Sequence, residues 1–288
     1  MADLGSSSSA GKTIAVAATA SFGARLLDEL ARAHKVEVLI TKPDRPYGRG
    51  RRIESSAAKK MAENLGIPVL QPESLDADLD FSADVVVVAA YGVLIPQSLL
   101  SERLWLNVHP SLLPRWRGAA PVERALMAGD DVTGVTVHLT TVLLDAGPIL
   151  LQESFGIEPG DDAGAIYDRS VPIATRLINE VLLAQSGEII PEEQLISGVT
   201  YAEKIGSADR ELDWEMPATQ IVNHVRALSP HIGAWGIVED RRLIIWRARQ
   251  AKSNESDGVL RVGDVVLLEV QPEGRRRMSA DQYVHGYR

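Results

Sequence analysis

Asn107 and His109 stand two residues apart in the run Asn107-Val108-His109-Pro110-Ser111-Leu112-Leu113-Pro114-Arg115-Trp116-Arg117-Gly118, and Asp145 lies further on in Leu144-Asp145-Ala146-Gly147-Pro148. Side chains two apart on a strand share a face, so Asn107 and His109 would project toward one spot while Val108 turns into the core. Pro110 has no N–H for a ladder, so the strand should end there and release a loop at its carboxyl edge, where open α/β sheets place ligands. Asp145, before a Gly-Pro turn, can return to that edge. Each residue alone has an ordinary reading: a histidine on a strand is commonly a satisfied interior residue, and Asp-Ala-Gly-Pro is a common turn sequence. Together they supply an oxyanion donor, a proton carrier and a carboxylate to orient it. That set suits acyl transfer without a covalent intermediate.

The elements that must position these residues follow from the hydrophobic pattern. Thr13 to Ala18 reads as a buried strand, Phe22 to His34 as an amphipathic helix with Leu26, Leu27 and Leu30 on one side, and Val36 to Thr41 as the next strand. Ser56 to Leu65 reads as a helix ending at Gly66. Ile67 to Leu70 and Asp84 to Ala90 follow as strands, and the unbroken valines 85 to 88 suit a central strand covered on both faces. Pro121 to Met127 starts a helix, Gly134 to Thr140 and Ile149 to Phe155 read as strands, and Ala163 to Leu183 is a helical stretch interrupted at Pro172. Such alternation implies an α/β fold with a doubly wound, mostly parallel sheet. From Ser186 to Asp209 the periodicity weakens. Beyond it come a helix from Ala218 to Leu228 and short strands at Trp235–Glu239, Arg242–Arg249, Val259–Val262 and Val265–Gln271, which suggest a small β-barrel. The expected division is a disordered leader over 1–11, a catalytic domain over 12–187, a linker over 188–207 and a C-terminal domain over 208–288.

Composition bounds the chemistry. The 288 residues contain no cysteine, so neither disulfides nor thiolate metal sites are available, and the six histidines show no paired ligand spacing. No metal is therefore expected. The leader Met-Ala-Asp-Leu-Gly and its four serines lack the basic and apolar regions of a secretory signal. The longest apolar run, Val85 to Ala90, is far too short to cross a bilayer. A cytoplasmic enzyme without a membrane partner is expected.

The net charge of −9 opposes binding to a polyanion, but its distribution does not. Between Lys42 and Lys60 seven cationic residues, among them Lys42, Arg45, Arg49, Arg51 and Arg52, face two acids, a local net of +5. Glycine and proline interleaved with this run argue for an exposed loop whose cationic tip could reach a nucleic-acid end, although charge runs are also often plain solvated surface.

The run from Asn107 through Pro121 resembles the signature of the formyltransferases that use 10-formyltetrahydrofolate, and Arg117-Gly118-Ala119-Ala120-Pro121 is most similar to members that act on methionyl initiator tRNA. Lys42-Pro43-Asp44-Arg45-Pro46, Ala89-Ala90-Tyr91-Gly92, Thr200-Tyr201-Ala202-Glu203-Lys204-Ile205 and Gln271-Pro272-Glu273-Gly274 agree, so the resemblance reaches from about Thr13 to the C-terminus. It implies a Rossmann-like catalytic domain followed by an OB-like barrel, with 10-formyltetrahydrofolate as formyl donor and a monomeric enzyme of translation initiation. Asn107, His109 and Asp145 would be catalytic. Ala89, Tyr91, Gly92 and Ile95, with the Ser111, Leu112, Leu113 and Pro114 loop, would hold the folate. Lys42, Arg45, Arg49, Arg51 and Arg52 would meet the tRNA.

The chain departs from the family pattern at Ala18-Thr19-Ala20, where members often carry Gly-Thr-Pro, and its 71–83, 100–107 and 251–263 segments look short. Two other readings share parts of this pattern. One is a sugar-nucleotide N-formyltransferase, against which the 42–52 loop and the C-terminal domain argue; the other is a noncatalytic folate- or RNA-binding module, against which the intact trio argues.

Overall fold

The computed structural model describes residues 11–47, 52–75, 79–185, 187–252 and 259–287. The leader expected over 1–11 therefore lies almost wholly outside the described residues. The chain divides into two compact units that interleave along the sequence: Met1–Ala119, Gly134–Ser154 and Arg169–Tyr201 form the first, and Ala120–Thr133, Phe155–Asp168 and Ala202–Arg288 the second.

The main sheet has seven strands in the order Ile149–Gly156, Val132–Leu139, Leu104–His109, Val85–Ala89, Thr13–Ala18, Lys35–Ile40, Val69–Leu70. The last five pair in parallel, and Leu104–His109 meets Val132–Leu139 antiparallel. Val86, Val87 and Ala89 of the central strand are fully buried, which is why both of its faces read as apolar. The helix Ser21–Ala33 lays Leu26, Leu27 and Leu30, all fully buried, against the sheet, each contributing about 2 kcal/mol of apolar burial. Gly23 permits that approach, because a Cβ there would lie 2.4 Å from the Ala89 carbonyl oxygen. Ala18, at the glycine of the family pattern, is not among the residues of positive φ, and Ala20, at the proline, sits at φ −82° and ψ 172°, so neither alanine holds a conformation that needs glycine.

Several expectations change on contact with the structure. The segment after Lys42 is no simple loop. Arg45–Tyr47 pairs antiparallel with Arg52–Glu54 as a short hairpin, and residues 48–51, including Arg49 and Arg51, lie outside the described residues. The expected interruption at Pro172 does not occur: Ala163–Leu183 is one helix. Proline removes one ladder N–H at a cost of about 3 kcal/mol, and burial of Val171, Ala174, Leu177 and Ile178 on its flanks offsets it. Two short helices, Gln97–Glu102 and Ala280–Tyr287, were not expected from the pattern. The second carries a reciprocal cap that was readable: Gln282 N–H donates to Ser279 Oγ and Ser279 N–H to Gln282 Oε1, both at 3.2 Å.

In the second unit, Ala234–Val238, Arg241–Gln250, Val265–Pro272 and Arg261–Val262 follow one another in an antiparallel half-barrel, with Met278–Ser279 as a fifth strand on Val265–Pro272. Leu228, Ile245, Leu267, Val270 and Tyr283 are among the buried residues of its core. Among the described residues no helix is long and apolar enough to cross a membrane.

Candidate active site

Asn107 and His109 sit on the last turn of the pleat of the Leu104–His109 strand, on one face, with Val108 buried on the other. Asp145 arrives from the loop after Val132–Leu139, in left-handed backbone at φ 45°. The three side chains meet. Asn107 Nδ2 donates to Asp145 Oδ1 at 2.9 Å, the Gly118 N–H donates to Asp145 Oδ2 at 2.8 Å, and His109 Nδ1 lies 3.7 Å from Oδ2. The carboxylate is thus gripped by two donors and faces the imidazole at ion-pair rather than hydrogen-bond range. One Asn107 amide hydrogen is spent on Asp145, which leaves the second for another acceptor.

His109 is 5% exposed, and its Nε2 lies 2.7 Å from the Trp116 carbonyl oxygen. A carbonyl only accepts, so Nε2 carries the hydrogen and the neutral ring presents its lone pair on Nδ1. Protonation at Nδ1 therefore creates an imidazolium N–H aimed at Asp145. What the sequence did not show is the Trp116 carbonyl, which fixes the tautomer and leaves Nδ1 on the side of the Asp145 carboxylate.

Sequence reasoning missed His138. It pairs with Asn107 across the antiparallel register, is 1% exposed, donates from Nδ1 to the Leu139 carbonyl at 2.9 Å, and leaves Nε2 without a hydrogen bond 3.8 Å from Asp145 Oδ1. Burial, aided by the neighbouring His109, holds its pKa down to about 4, from an ordinary 6.5, against the opposing pull of Asp145. Below the ordinary value the unfolded chain takes up a proton that the folded one refuses. The stability this implies is whole above pH ~6.5 and is lost as pH falls toward ~4, by about 3 kcal/mol in all. His138→Gln should flatten the dependence of unfolding free energy on pH across that window in urea titrations; an unchanged slope would refute the buried neutral ring.

The residues expected to hold folate divide by exposure. Ala89, Tyr91, Ile95, Ser111 and Leu113 are buried, and burial pushes the Tyr91 phenol up to about 12. What faces solvent is Ala90 at φ 46°, Gly92 at φ 68°, Val93 and Leu94, with Val142, Leu143 and Leu144 on the loop that carries Asp145. The buried set is a frame. Thr136 Oγ1 donates to the Ser111 carbonyl at 2.6 Å and accepts from the Leu113 N–H at 3.2 Å, and Gln152 Nε2 donates to the Leu113 carbonyl at 3.0 Å; Leu112 and Pro114 are half-buried beside it.

Of the cationic residues, Lys42 lies beside Gly92: a Cβ there would come within 3.0 Å of its ammonium. Arg45 is exposed on the hairpin. The hairpin's base is pinned by Asp44, which accepts from Lys59 Nζ at 2.5 Å and from Gln71 Nε2 at 2.9 Å, bonds that hold its carboxyl below the usual range. Arg52 belongs to the second hairpin strand. Among the described residues, no group of three or more His, Asp or Glu is placed to hold a metal ion.

The family profile for Formyl transferase matches residues 12–182, and that for Formyl transferase, C-terminal domain matches residues 204–288. The chain belongs to the formyl transferase family. Among its relatives, the methionyl-tRNA formyltransferase of Jannaschia sp. is 40% identical over 287 residues, covering 94% of this chain and 95% of that protein. That of Aromatoleum aromaticum is 37% identical, covering 95% and 94%. The fold also matches the methionyl-tRNA formyltransferase structure from Clostridium thermocellum, at TM-score 0.61 and 14% identity over 91% of this chain and 98% of that one. HypX from Aquifex aeolicus, solved in complex with tetrahydrofolic acid, matches at TM-score 0.65 and 19% identity, over 97% of this chain and 47% of that one. As a member of the family, the protein is an enzyme of formyl transfer.

Proposed function

We propose that the protein transfers the formyl group of 10-formyltetrahydrofolate to the α-amino group of methionine carried on initiator tRNA, acting as a cytoplasmic monomer without a metal ion. The observation that carries this reading is the convergence of Asn107, His109 and Asp145 at the sheet edge, in a chain 37–40% identical, nearly end to end, to relatives named methionyl-tRNA formyltransferase. The amine nitrogen attacks the formyl carbon, and the second Asn107 amide hydrogen donates to the oxygen that becomes negative. Collapse of the tetrahedral intermediate breaks the bond from carbon to folate N10. The amine loses one proton and N10 gains one, and His109, with its charged form stabilised by Asp145, carries that transfer. No group on the enzyme is acylated.

Exposed Ala90, Gly92, Val93, Leu94 and Leu143 would supply apolar surface and main-chain groups to a pterin ring. Ala89, Tyr91, Ile95, Ser111, Leu112, Leu113 and Pro114 frame that surface, and Lys42 stands beside it. In this reading residues 12–187 perform the chemistry, 188–207 connect, and 208–288 assist in holding the tRNA, whose acceptor end would meet Lys42, Arg45, Arg49, Arg51 and Arg52.

The hairpin's part is tested by salt. Arg45→Ala should slow formylation of charged initiator tRNA and lessen its salt sensitivity, because each lost phosphate contact lowers the log–log slope by about 1. Folate affinity should be unchanged. Rates and slopes identical to the parent would remove Arg45 from the tRNA interface.

A further inference from the structure

The stretch between the long helix and the C-terminal half-barrel has little periodicity, yet it reaches the catalytic loop through one side chain. Gln194 is half-buried between exposed neighbours Glu193 and Leu195. Its Nε2 spends both hydrogens on the loop, donating to the carbonyls of Asp145 and Gly147, each at 2.9 Å. Its Oε1 accepts from Arg117 Nε at 3.0 Å and Nη2 at 2.7 Å. The segment around it is stitched down on both sides: Glu192 and Ile149 exchange backbone hydrogen bonds at 2.7 and 2.8 Å, the Thr200 carbonyl accepts from the Arg117 N–H at 2.9 Å, and Thr200 Oγ1 accepts from the Trp116 N–H at 2.9 Å.

The loop needs such a clamp. Asp145 holds a left-handed backbone that costs a non-glycine residue about 1 kcal/mol or more and persists only where its surroundings impose it. Its carboxylate must also stay against Asn107 and the Gly118 N–H to face His109. We propose that Gln194 is a positioning residue for formyl transfer, its carboxamide fixing the Asp145–Gly147 backbone so that the Asp145 carboxylate keeps its place. The proposal rests on the catalytic reading given above.

A second role for the same side chain, anchoring Arg117, is separable by chemistry. Gln194→Glu keeps and strengthens the acceptor for the guanidinium but replaces the donating NH₂ with an oxygen that faces two carbonyl oxygens. If the clamp matters, Gln194→Glu behaves like Gln194→Ala. Both should lower kcat about 10-fold or more with KM for the formyl donor and for charged tRNA unchanged, the cost expected when a reacting group is displaced by a fraction of an ångström to one ångström. In an Asp145→Ala background neither change should lower kcat further, because residues acting through one group are not additive.

Amide exchange gives a readout independent of the acceptor. The Gly118 N–H, protected by the Asp145 carboxylate, should exchange about 10-fold faster or more in both variants, as local opening replaces a held hydrogen bond. Should the parent fail to formylate tRNA, the proposed acceptor falls while Gly118 exchange still decides for or against Gln194. A Gln194→Glu protein with parental kcat and a protected Gly118, or one whose full loss reappears on top of Asp145→Ala, would overturn the assignment.

Discussion

Asp145→Asn is expected to reduce turnover by about 100-fold or more, the range for loss of a general acid–base partner or of charge aimed at a transition state, while leaving the protein folded. The substitution preserves size and one acceptor. It removes the negative charge 3.7 Å from His109 Nδ1, the nitrogen on which a second proton must arrive because Nε2 already donates to the Trp116 carbonyl. It also brings an NH₂ against the Asn107 Nδ2 or the Gly118 N–H, which hold the two carboxylate oxygens at 2.9 and 2.8 Å, so one donor must lose its partner. Rapid-quench formyl transfer measured beside thermal melting separates chemistry from folding. A folded variant with near-parental turnover would remove Asp145 from the mechanism.

Gly147→Ala should be as damaging by a different route. A Cβ on Gly147 would lie 1.8 Å from the Leu139 carbonyl oxygen and 2.9 Å from its carbon, and that backbone is held in place because the Leu139 N–H donates to the Pro148 carbonyl at 2.9 Å. Neither partner is the free end of a side chain, so the loop itself must move. Overpacking against fixed backbone costs about 3 kcal/mol, and the displaced loop carries Asp145 with it. Urea titration should show the destabilisation, and turnover per folded molecule should fall at a temperature where the variant remains native. Parental stability would show that the loop has room the geometry denies.

The parts of this site that could be read from sequence are those set by short-range rules. The two-residue period put Asn107 and His109 on one face, Pro110 marked the strand end, and the valine run marked a central strand; all follow from the pleat and from proline's missing N–H. His138 was not legible, because what places it beside Asp145 is antiparallel pairing of Leu104–His109 with Val132–Leu139, a register that no local pattern states. Nor was Gln194, in a stretch read as a connection, whose order comes from bonds to Asp145, Gly147 and Arg117 rather than from periodicity. The continuous helix through Pro172 shows the same limit from the other side: a strong local breaker yields where apolar residues on both flanks are buried. The hairpin at 45–54 was hidden because its strands are three residues long each, too short to display alternation.

The identity of the acceptor is the central claim, and competition tests it most directly. The full-length protein is given limiting radiolabelled 10-formyltetrahydrofolate together with methionyl initiator tRNA and a dTDP-linked amino sugar, and the label is followed into each product. The account predicts formylmethionyl-tRNA as the labelled product, with the sugar left unmodified and the label on tRNA lost in Asp145→Asn. Label accumulating on the amino sugar while the charged tRNA stays unformylated would contradict it.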